Sequence, residues 1–248
     1  PPHPGKKQLE SQNMYEHIRL EKDTLINCCT KNSSPFLCSL YHIFQTKTHL
    51  FFVVEYLPGN TLFSLLQNSP APLPESHVQF YAAEILLGLK ILHFHDFLYR
   101  DLKLENILLD HLGHIRLTDF GLTHQLTPTK RRVTSFSGTL IYLAPEILAQ
   151  ERTGEGHTKG VDFWALGVLI HLLATQAAPF WSDKVSEVVE MIENCNPEKI
   201  LSGESEGDNE EKEEGKKGDE KGEMANDDKN KENGEENGEK DEKEEGIE

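Results

Sequence analysis

The stretch from Leu98 to Gly121 constrains this chain more than any other part of it. It reads LYRDLKLENILLDHLGHIRLTDFG, two short apolar segments joined by a turn, with polar residues on both sides. Asp101, Lys103 and Asn106 stand within six residues, and Asp119 follows the second apolar segment. This spacing suits phosphoryl transfer, in which a protein positions the reactants and neutralises charge. One carboxylate would accept the proton of an attacking hydroxyl, while the other carboxylate and the amide would hold Mg²⁺.

The same residues resemble the catalytic loop and the D-F-G motif of protein kinases. Tyr99-Arg100-Asp101 stands where the family has H-R-D, and a Tyr in the first place is usual in the AGC group of serine/threonine kinases. The resemblance implies that Asp101 is the catalytic base and that Lys103 contacts the γ-phosphate of ATP. It also implies that Asn106 and Asp119 are ligands of Mg²⁺. Taken singly, each residue has a plainer reading as a turn cap or a solvated side chain.

The resemblance covers roughly residues 14–195 and is closest to the ribosomal S6 kinases and the mitogen- and stress-activated kinases. It implies an α+β, protein kinase-like bilobal fold. Ala144-Pro145-Glu146 matches A-P-E, and the segment from Asp162 to Gly167 matches D-x-W-x-x-G. In the family this aspartate braces the catalytic loop. Arg100, Glu146 and Asp162 are therefore predicted to have structural roles.

The first part of the chain matches the nucleotide side of the kinase fold. Residues 14–28 carry a helical stripe of apolar side chains in which Glu21 occupies the position that pairs with a lysine in the family; a solvated helix face is the alternative. Two runs rich in Phe, Val and Leu around residues 46–48 predict a β-hairpin. The resemblance then makes Val54 the gatekeeper and Glu55 and Leu57 the segment that bonds the adenine of ATP.

Two elements of the family pattern are not found in the sequence. No G-x-G-x-x-G stretch occurs, and no V-A-I-K strand precedes Glu21. We therefore expect a shortened chain with an incomplete small lobe, without its first three strands, and a mainly helical large lobe cut after the helix at 185–192. Such a chain would bind ATP feebly. The predicted segments are a disordered leader (1–13), a partial small lobe (14–57), a partial large lobe (58–201) and an acidic disordered tail (202–248).

The second half contains the expected regulatory and substrate-binding positions. In the segment from Thr123 to Ser137, Ser135 stands where AGC kinases carry a phosphorylated Ser or Thr. Leu140-Ile141 replaces the usual Pro-Glu, which reshapes the platform under the acceptor residue. Thr61 stands where members that select basic substrates carry an acid, although Glu105 keeps one such carboxylate. Selection of arginine-containing substrates is therefore weakened.

Helical patterns account for most of the remaining chain. Helices are predicted at 61–67, 75–95, 161–173 and 185–192, the second with Val78, Tyr81, Ile85, Leu86, Leu89 and Leu92 on its buried side. His93 and His95 at the end of this helix could suggest a metal site. No third ligand is spaced from them, so we assign them no metal.

Charge is distributed unevenly along the chain. Residues 202–248 carry 21 acidic residues against 8 lysines, which is −13 of the total net charge of −17. Such a composition cannot bury enough apolar surface to offset the entropy of ordering. The tail either binds a basic protein partner or is simply solvated. The longest apolar run, 163–174, is too short to span a membrane and contains His171.

Two functions from different classes fit these observations. The first is a monomeric serine/threonine protein kinase, in the cytoplasm or nucleus, that transfers the γ-phosphoryl group of ATP to a protein substrate and contacts neither membrane nor nucleic acid directly. The second is a kinase-shaped, catalytically silent binding module that uses its large lobe and acidic tail. Phosphate transfer that depends on Asp101 separates the two.

Overall fold

The computed structural model describes residues 12–30 and 34–195. The helices are α1 (Gln12–Cys28), α2 (Leu62–Gln67), α3 (Glu75–Phe94), α4 (Pro145–Leu148), α5 (Gln150–Thr153), α6 (Gly160–Thr175) and α7 (Val185–Glu193). The strands are β1 (Leu40–Gln45), β2 (Leu50–Val54), β3 (Phe97–Leu98), β4 (Ile107–Leu109), β5 (Ile115–Leu117) and β6 (His124–Gln125). The predicted α+β class is confirmed. The predicted acidic tail and residues 1–11 of the predicted leader lie outside the described residues.

Helix α1 and the β1–β2 hairpin form the first part of the structure. The helix begins at Gln12, two residues before the predicted start. Its carboxyl end is tied to the hairpin because the Leu40 backbone N–H donates to the Cys29 carbonyl oxygen at 2.6 Å. The two strands pair antiparallel, with Phe44 opposite Phe51, and the two rings stack with their centroids 4.9 Å apart. The predicted hairpin is therefore present, and it exposes aromatic side chains on one surface.

The core of the second part lies between α3 and α6. Leu89 and Leu92 of α3 are fully buried, as are Leu169 and Leu173 of α6. Leu86 was predicted to be buried and is 45% exposed, because it lies one residue away from the stripe that contacts the core. None of the helices in the described part of the chain is long and apolar enough to cross a membrane.

Helix α3 approaches the β4–β5 hairpin closely. A Cβ atom on Gly88 would lie 2.9 Å from the Leu117 side chain, so glycine permits this approach. The turn between the strands is closed by Asp110, whose carboxylate accepts hydrogen bonds from the backbone N–H groups of Leu112 and His114 at 2.8 and 3.0 Å. These contacts fix the hairpin that follows the loop carrying Asp101.

Several short elements were not predicted from the sequence. Strands β3 and β6 pair over two residues each, with Phe97 opposite Gln125. Helices α4 and α5 span four residues each. A run of two to four residues is too short to carry a recognisable periodicity, so only tertiary contacts define these elements.

Candidate active site

The loop that carries Asp101 is held by the carboxylate of Asp162 near the start of α6. Its Oδ2 atom accepts a hydrogen bond from the Tyr99 backbone N–H at 2.9 Å, and its Oδ1 atom accepts one from the Arg100 N–H at 2.8 Å. Asp162 is 1% exposed, and Arg100 has a positive φ of 65°. A buried carboxylate that accepts two backbone bonds can hold a residue in this uncommon conformation. Asp162 thus fixes the backbone immediately before Asp101.

His93 completes this support, and sequence reasoning missed its role. Its Nε2 atom lies 2.7 Å from Asp162 Oδ2, and its ring packs edge-on against Phe163. The sequence indicates no role for His93 other than a metal site that lacks a third ligand. The contact joins residues 69 positions apart, so no local pattern could indicate it.

Asp101 is surrounded by three polar side chains. Lys103 Nζ donates to its Oδ2 atom at 2.7 Å, and Asn106 Nδ2 donates to the same oxygen at 2.8 Å. Thr139 Oγ1 donates to the other oxygen, Oδ1, at 3.4 Å. The residue is only 6% exposed. These three donors orient the Asp101 carboxylate, a group that can serve as a general base.

The β4–β5 pairing brings Asn106 and Asp119 to one end of the hairpin. Ile107 pairs with Leu117, so the residues just outside this pair, Asn106 and Thr118, are opposite each other. The Thr118 backbone N–H and Oγ1 both donate to the Asn106 carbonyl oxygen at 3.0 Å. Asp119 follows directly, with a positive φ of 57° and an exposed side chain. Two residues that are thirteen positions apart in sequence therefore flank one site.

The buried Tyr99 links the acidic residues of the site. Its hydroxyl donates to the Thr118 carbonyl oxygen at 2.5 Å, and its ring lies 5.9 Å from that of Phe120. Burial raises the pKa of Tyr99 well above its usual value, and the charges of Asp101, Asp119 and Asp162 add to the rise. The charges of all three carboxylates therefore disfavour the ionised form of this one tyrosine.

The donor groups at the hairpin end fit a Mg²⁺ ion. Asn106 uses its amide nitrogen to bond Asp101, so its amide oxygen is available as a ligand. The Asp119 carboxylate accepts only the Gly121 backbone N–H, at 3.2 Å, in the described part of the chain. Carboxylate and amide oxygens are the ligands that Mg²⁺ prefers, usually with several waters and substrate phosphates completing the shell. Asn106 and Asp119 are the residues that would hold it.

Glu21 of α1 lies on the same side of the molecule as Asp119. Burial raises the pKa of Glu21, and the Asp119 carboxylate adds to the rise. No ion pair joins Glu21 to a basic side chain within residues 12–30 and 34–195. The helix is also linked to the segment after Asp119, because Thr24 Oγ1 lies 2.7 Å from Thr123 Oγ1 and both residues are buried.

The segment predicted to bond adenine lies at the end of β2. The Val54 side chain is 42% exposed. The Glu55 backbone N–H donates to the Ser39 carbonyl oxygen at 2.8 Å, and the Glu55 carboxylate is 3.6 Å from Arg116 Nε. The backbone of Leu57 makes no hydrogen bond within the described ranges, so its N–H and carbonyl oxygen are free to bond a ligand.

Arg100 joins the catalytic loop to the segment that carries Ser135. Its Nε atom donates to the Leu122 carbonyl oxygen at 2.8 Å, and its Nη1 atom donates to Ser135 Oγ at 2.7 Å. Burial lowers the pKa of Arg100 to about 10. Burial also lowers the pKa of the neighbouring His124 to about 4, and the positive charges of Arg100 and Lys130 add to the decrease.

Glu146, at the start of α4, is exposed. No basic side chain pairs with it in the part of the chain that the structure describes. Its predicted structural role therefore stays a prediction.

Three features together fit a phosphotransferase site on a scaffold of helices and strands: the buried Asp101, its Lys103 and Asn106 donors, and the position of Asn106 and Asp119 at one end of the β4–β5 hairpin. The model of the protein kinase domain family matches residues 5–226. The chain belongs to this family. The kinase-like fold predicted from the motifs is thereby confirmed, and the family match covers more of the sequence than residues 14–195.

Individual protein kinases are similar to this chain in sequence. Ribosomal protein S6 kinase alpha-4 of Homo sapiens is 42% identical over 194 residues, which is 76% of this chain and 24% of that protein. Protein kinase 2 of Dictyostelium discoideum is 41% identical over 199 residues, 80% of this chain and 38% of that protein. The predicted likeness to the ribosomal S6 kinases within the AGC serine/threonine kinases is confirmed. The chain spans less than two fifths of the length of these relatives.

Proposed function

We propose that this chain is a serine/threonine protein kinase that transfers the γ-phosphoryl group of ATP to a hydroxyl of a protein substrate. The observation that carries the proposal is the surroundings of Asp101, a buried carboxylate bonded by Lys103, Asn106 and Thr139. This arrangement holds the carboxylate in one orientation, as the positioning of a general base requires. The likeness to the AGC serine/threonine kinases supports the choice of a serine or threonine acceptor.

Each residue of the site has a distinct task in this function. Asp101 accepts the proton of the attacking hydroxyl, and Lys103 supplies positive charge beside the transferred group. Asn106 and Asp119 would hold Mg²⁺, which would neutralise phosphate charge. Leu57 offers backbone groups to the adenine, next to Val54 and Glu55. Glu21 belongs to the nucleotide side of the site.

Phosphate transfer from Mg²⁺-ATP to a serine-containing peptide tests this function directly. The full chain should transfer phosphate, and Asp101→Asn should lose at least about a hundredfold in rate, because general base catalysis typically contributes that much. Asp183→Asn is the matched control, since this exposed aspartate precedes α7 and lies in a different segment. Equal activity of the two variants would contradict the role of Asp101.

We also propose that phosphorylation of Ser135 regulates the site. Ser135 is exposed and its hydroxyl already contacts Arg100, the residue before Asp101. A phosphate adds about −1.5 to −2 charges and three acceptor oxygens. It would therefore strengthen the contact that joins this segment to the catalytic loop.

A silent binding module is the second candidate. The surroundings of Glu21 favour it, because its charged neighbour is Asp119 and no basic side chain pairs with it in the described ranges. Unfavourable charge on the nucleotide side would weaken ATP binding. A thermal shift titration with Mg²⁺-ATP distinguishes the two candidates. A ligand that binds only the folded state of a protein raises the stability of that protein. We expect a shift only well above micromolar nucleotide; no shift at millimolar nucleotide, together with no transfer, would favour the binding module.

The composition of the tail supports a proposal about its partner. We propose that the acidic tail, residues 202–248, binds a basic protein partner and that the chain works as a monomer in the cytoplasm or nucleus. Its net charge of −13 supports this choice of partner.

A further inference from the structure

A groove of about 450 Å³ lies beside the proposed active site. It runs between α2, the short turn at Leu104–Asn106, the short turn at Leu140–Tyr142 and the end of α6. We call it the α2 groove. The function proposed above does not by itself assign an occupant to it.

The α2 groove begins next to the proposed catalytic base. Thr139 lines it, and the same threonine donates through Oγ1 to Asp101 Oδ1 at 3.4 Å. An extended peptide advances about 3.3–3.6 Å per residue. A peptide whose hydroxyl reaches Asp101 and whose chain extends along the groove would place a side chain within about three residues of that hydroxyl into the groove.

The lining of the groove is mainly apolar. Leu66, Leu104 and Leu172 form nearly buried walls, Ile141 is half-buried, and Phe63 is 42% exposed at the rim. This surface offers burial to a large apolar side chain. It would desolvate a guanidinium or ammonium group without giving it carboxylate partners on most sides.

Two polar side chains of the groove differ in whether they are free to bond a ligand. Gln176 donates its amide nitrogen to the backbone carbonyl oxygens of Leu66 and Ser69 at 3.2 and 3.0 Å, so this donor is already used. Glu105 is exposed and is the one charged lining residue in the described part of the chain. The groove can therefore pair a single basic group at its edge.

We propose that the α2 groove selects protein substrates with a large aliphatic or aromatic side chain within about three residues of the acceptor serine or threonine. A single basic residue of the substrate lies beside that side chain and pairs with Glu105. The inference rests on the proposed kinase function and adds the substrate class to it. The apolar side chain contributes more selectivity than the basic one, because exposed ion pairs contribute little.

Serine peptides that differ at one position test the groove. Leu, Phe, Ala, Arg or Glu is placed in turn at each of about three positions on either side of the serine. Binding of fluorescein-labelled peptides to the full chain and phosphate transfer from Mg²⁺-ATP are both measured. At one position, Leu and Phe should improve binding and transfer about tenfold over Ala and exceed Arg, as expected for substantial burial of an apolar side chain.

Two variants and a matched control show whether the preference for apolar peptides arises in the groove. Ile141→Glu places a second carboxylate in the groove and should reduce the preference for Leu and increase the preference for Arg. Phe63→Ala should reduce the preference several-fold. Phe80→Ala removes a phenylalanine of the same 42% exposure from α3, outside the groove, and should leave the preference unchanged.

The outcomes separate this inference from the kinase proposal. Apolar preference in binding that depends on Ile141 and Phe63, without phosphate transfer, supports the groove assignment and contradicts the kinase function. Transfer with no apolar preference, or with a preference that all three variants retain, supports the kinase function and overturns the groove assignment. The groove assignment is also overturned if no peptide of the set binds.

Discussion

The Nη1 atom of Arg100 lies 2.7 Å from the hydroxyl oxygen of Ser135, thirty-five residues further along the chain. Arg100 directly precedes the proposed base, and Asp162 holds its backbone. A chemical change at Ser135 therefore acts on a residue adjacent to Asp101. The contact spans a segment whose basic residues, 130–132, are exposed.

Phosphoserine at position 135 should slow tryptic cleavage at Lys130, Arg131 and Arg132, because the added charge strengthens the bond to Arg100. We expect at least a several-fold decrease in the cleavage rate, measured by mass spectrometry of the digest. The Arg100→Gln variant, with and without the phosphate, completes a double-mutant cycle. An equal decrease in both backgrounds would contradict the role of Arg100.

Asp162→Asn should destabilise the chain by about 2–3 kcal/mol, because one buried backbone N–H of the catalytic loop loses its acceptor. Asp96→Asn is the matched control. Asp96 pairs with Lys159 at 2.6 Å, but its side chain is 63% exposed, so we expect a loss of no more than about 1 kcal/mol. Urea denaturation measures both values. Similar losses would show that the Asp162 contacts add no more than a surface pair.

Two glycine substitutions should have opposite effects. A Cβ atom on Gly59 would collide with the Leu109 backbone carbonyl, so Gly59→Ala should cost about 1–3 kcal/mol. Gly167 in α6 is exposed and nothing lies within 4 Å of a Cβ placed there. Gly167→Ala should therefore stabilise the helix by about 0.5–1 kcal/mol. Thermal denaturation of the two variants checks the sign of each change.

The stability of the chain should fall as the pH drops from about 6.5 to about 4. Burial lowers the pKa values of His124 and His157 to about 4, below the value of 6.5 for a free histidine. The unfolded chain thus takes up protons that the folded chain does not. Each histidine contributes up to about 1.4 kcal/mol per pH unit in this window, and His124 contributes less because it is only half-buried.

Urea denaturation at a series of pH values tests this dependence. His124→Gln and His157→Gln should each reduce the slope. Glu21 makes the folded chain more stable as the pH falls, which opposes the effect of the histidines. Its pKa is raised in the folded chain, so protonation favours the folded state. Carboxylates with lowered pKa values, such as Asp110, contribute only as the pH falls below about 4. A slope that is unchanged in both histidine variants would contradict this assignment.

The sequence predicted those parts of the site whose residues are close together along the chain. Asp101, Lys103 and Asn106 contact one another within a single loop, and their spacing already indicated this. The β4–β5 hairpin brought Asp119 beside Asn106 through a local turn. Local spacing and hairpin pairing thus suffice for the central residues.

Contacts between distant segments could not be predicted in the same way. His93 reaches Asp162 across 69 residues through one hydrogen bond, and a single residue has no periodicity. The exposure of Leu86 depends on which neighbours helix α3 meets, and the sequence of the helix does not specify them. The apolar surface of the α2 groove likewise combines residues from four segments.

The hydroxyl pair of Thr24 and Thr123 has a consequence for motion. Thr24 belongs to α1, and Thr123 follows Asp119 by four residues, with its hydroxyl donating to the Phe120 carbonyl oxygen at 2.8 Å. Both hydroxyls are shielded from bulk solvent, because Thr24 is 0% and Thr123 is 1% exposed. The buried hydroxyl pair therefore connects α1 directly to the segment that follows Asp119, and a probe on α1 should respond to changes in that segment.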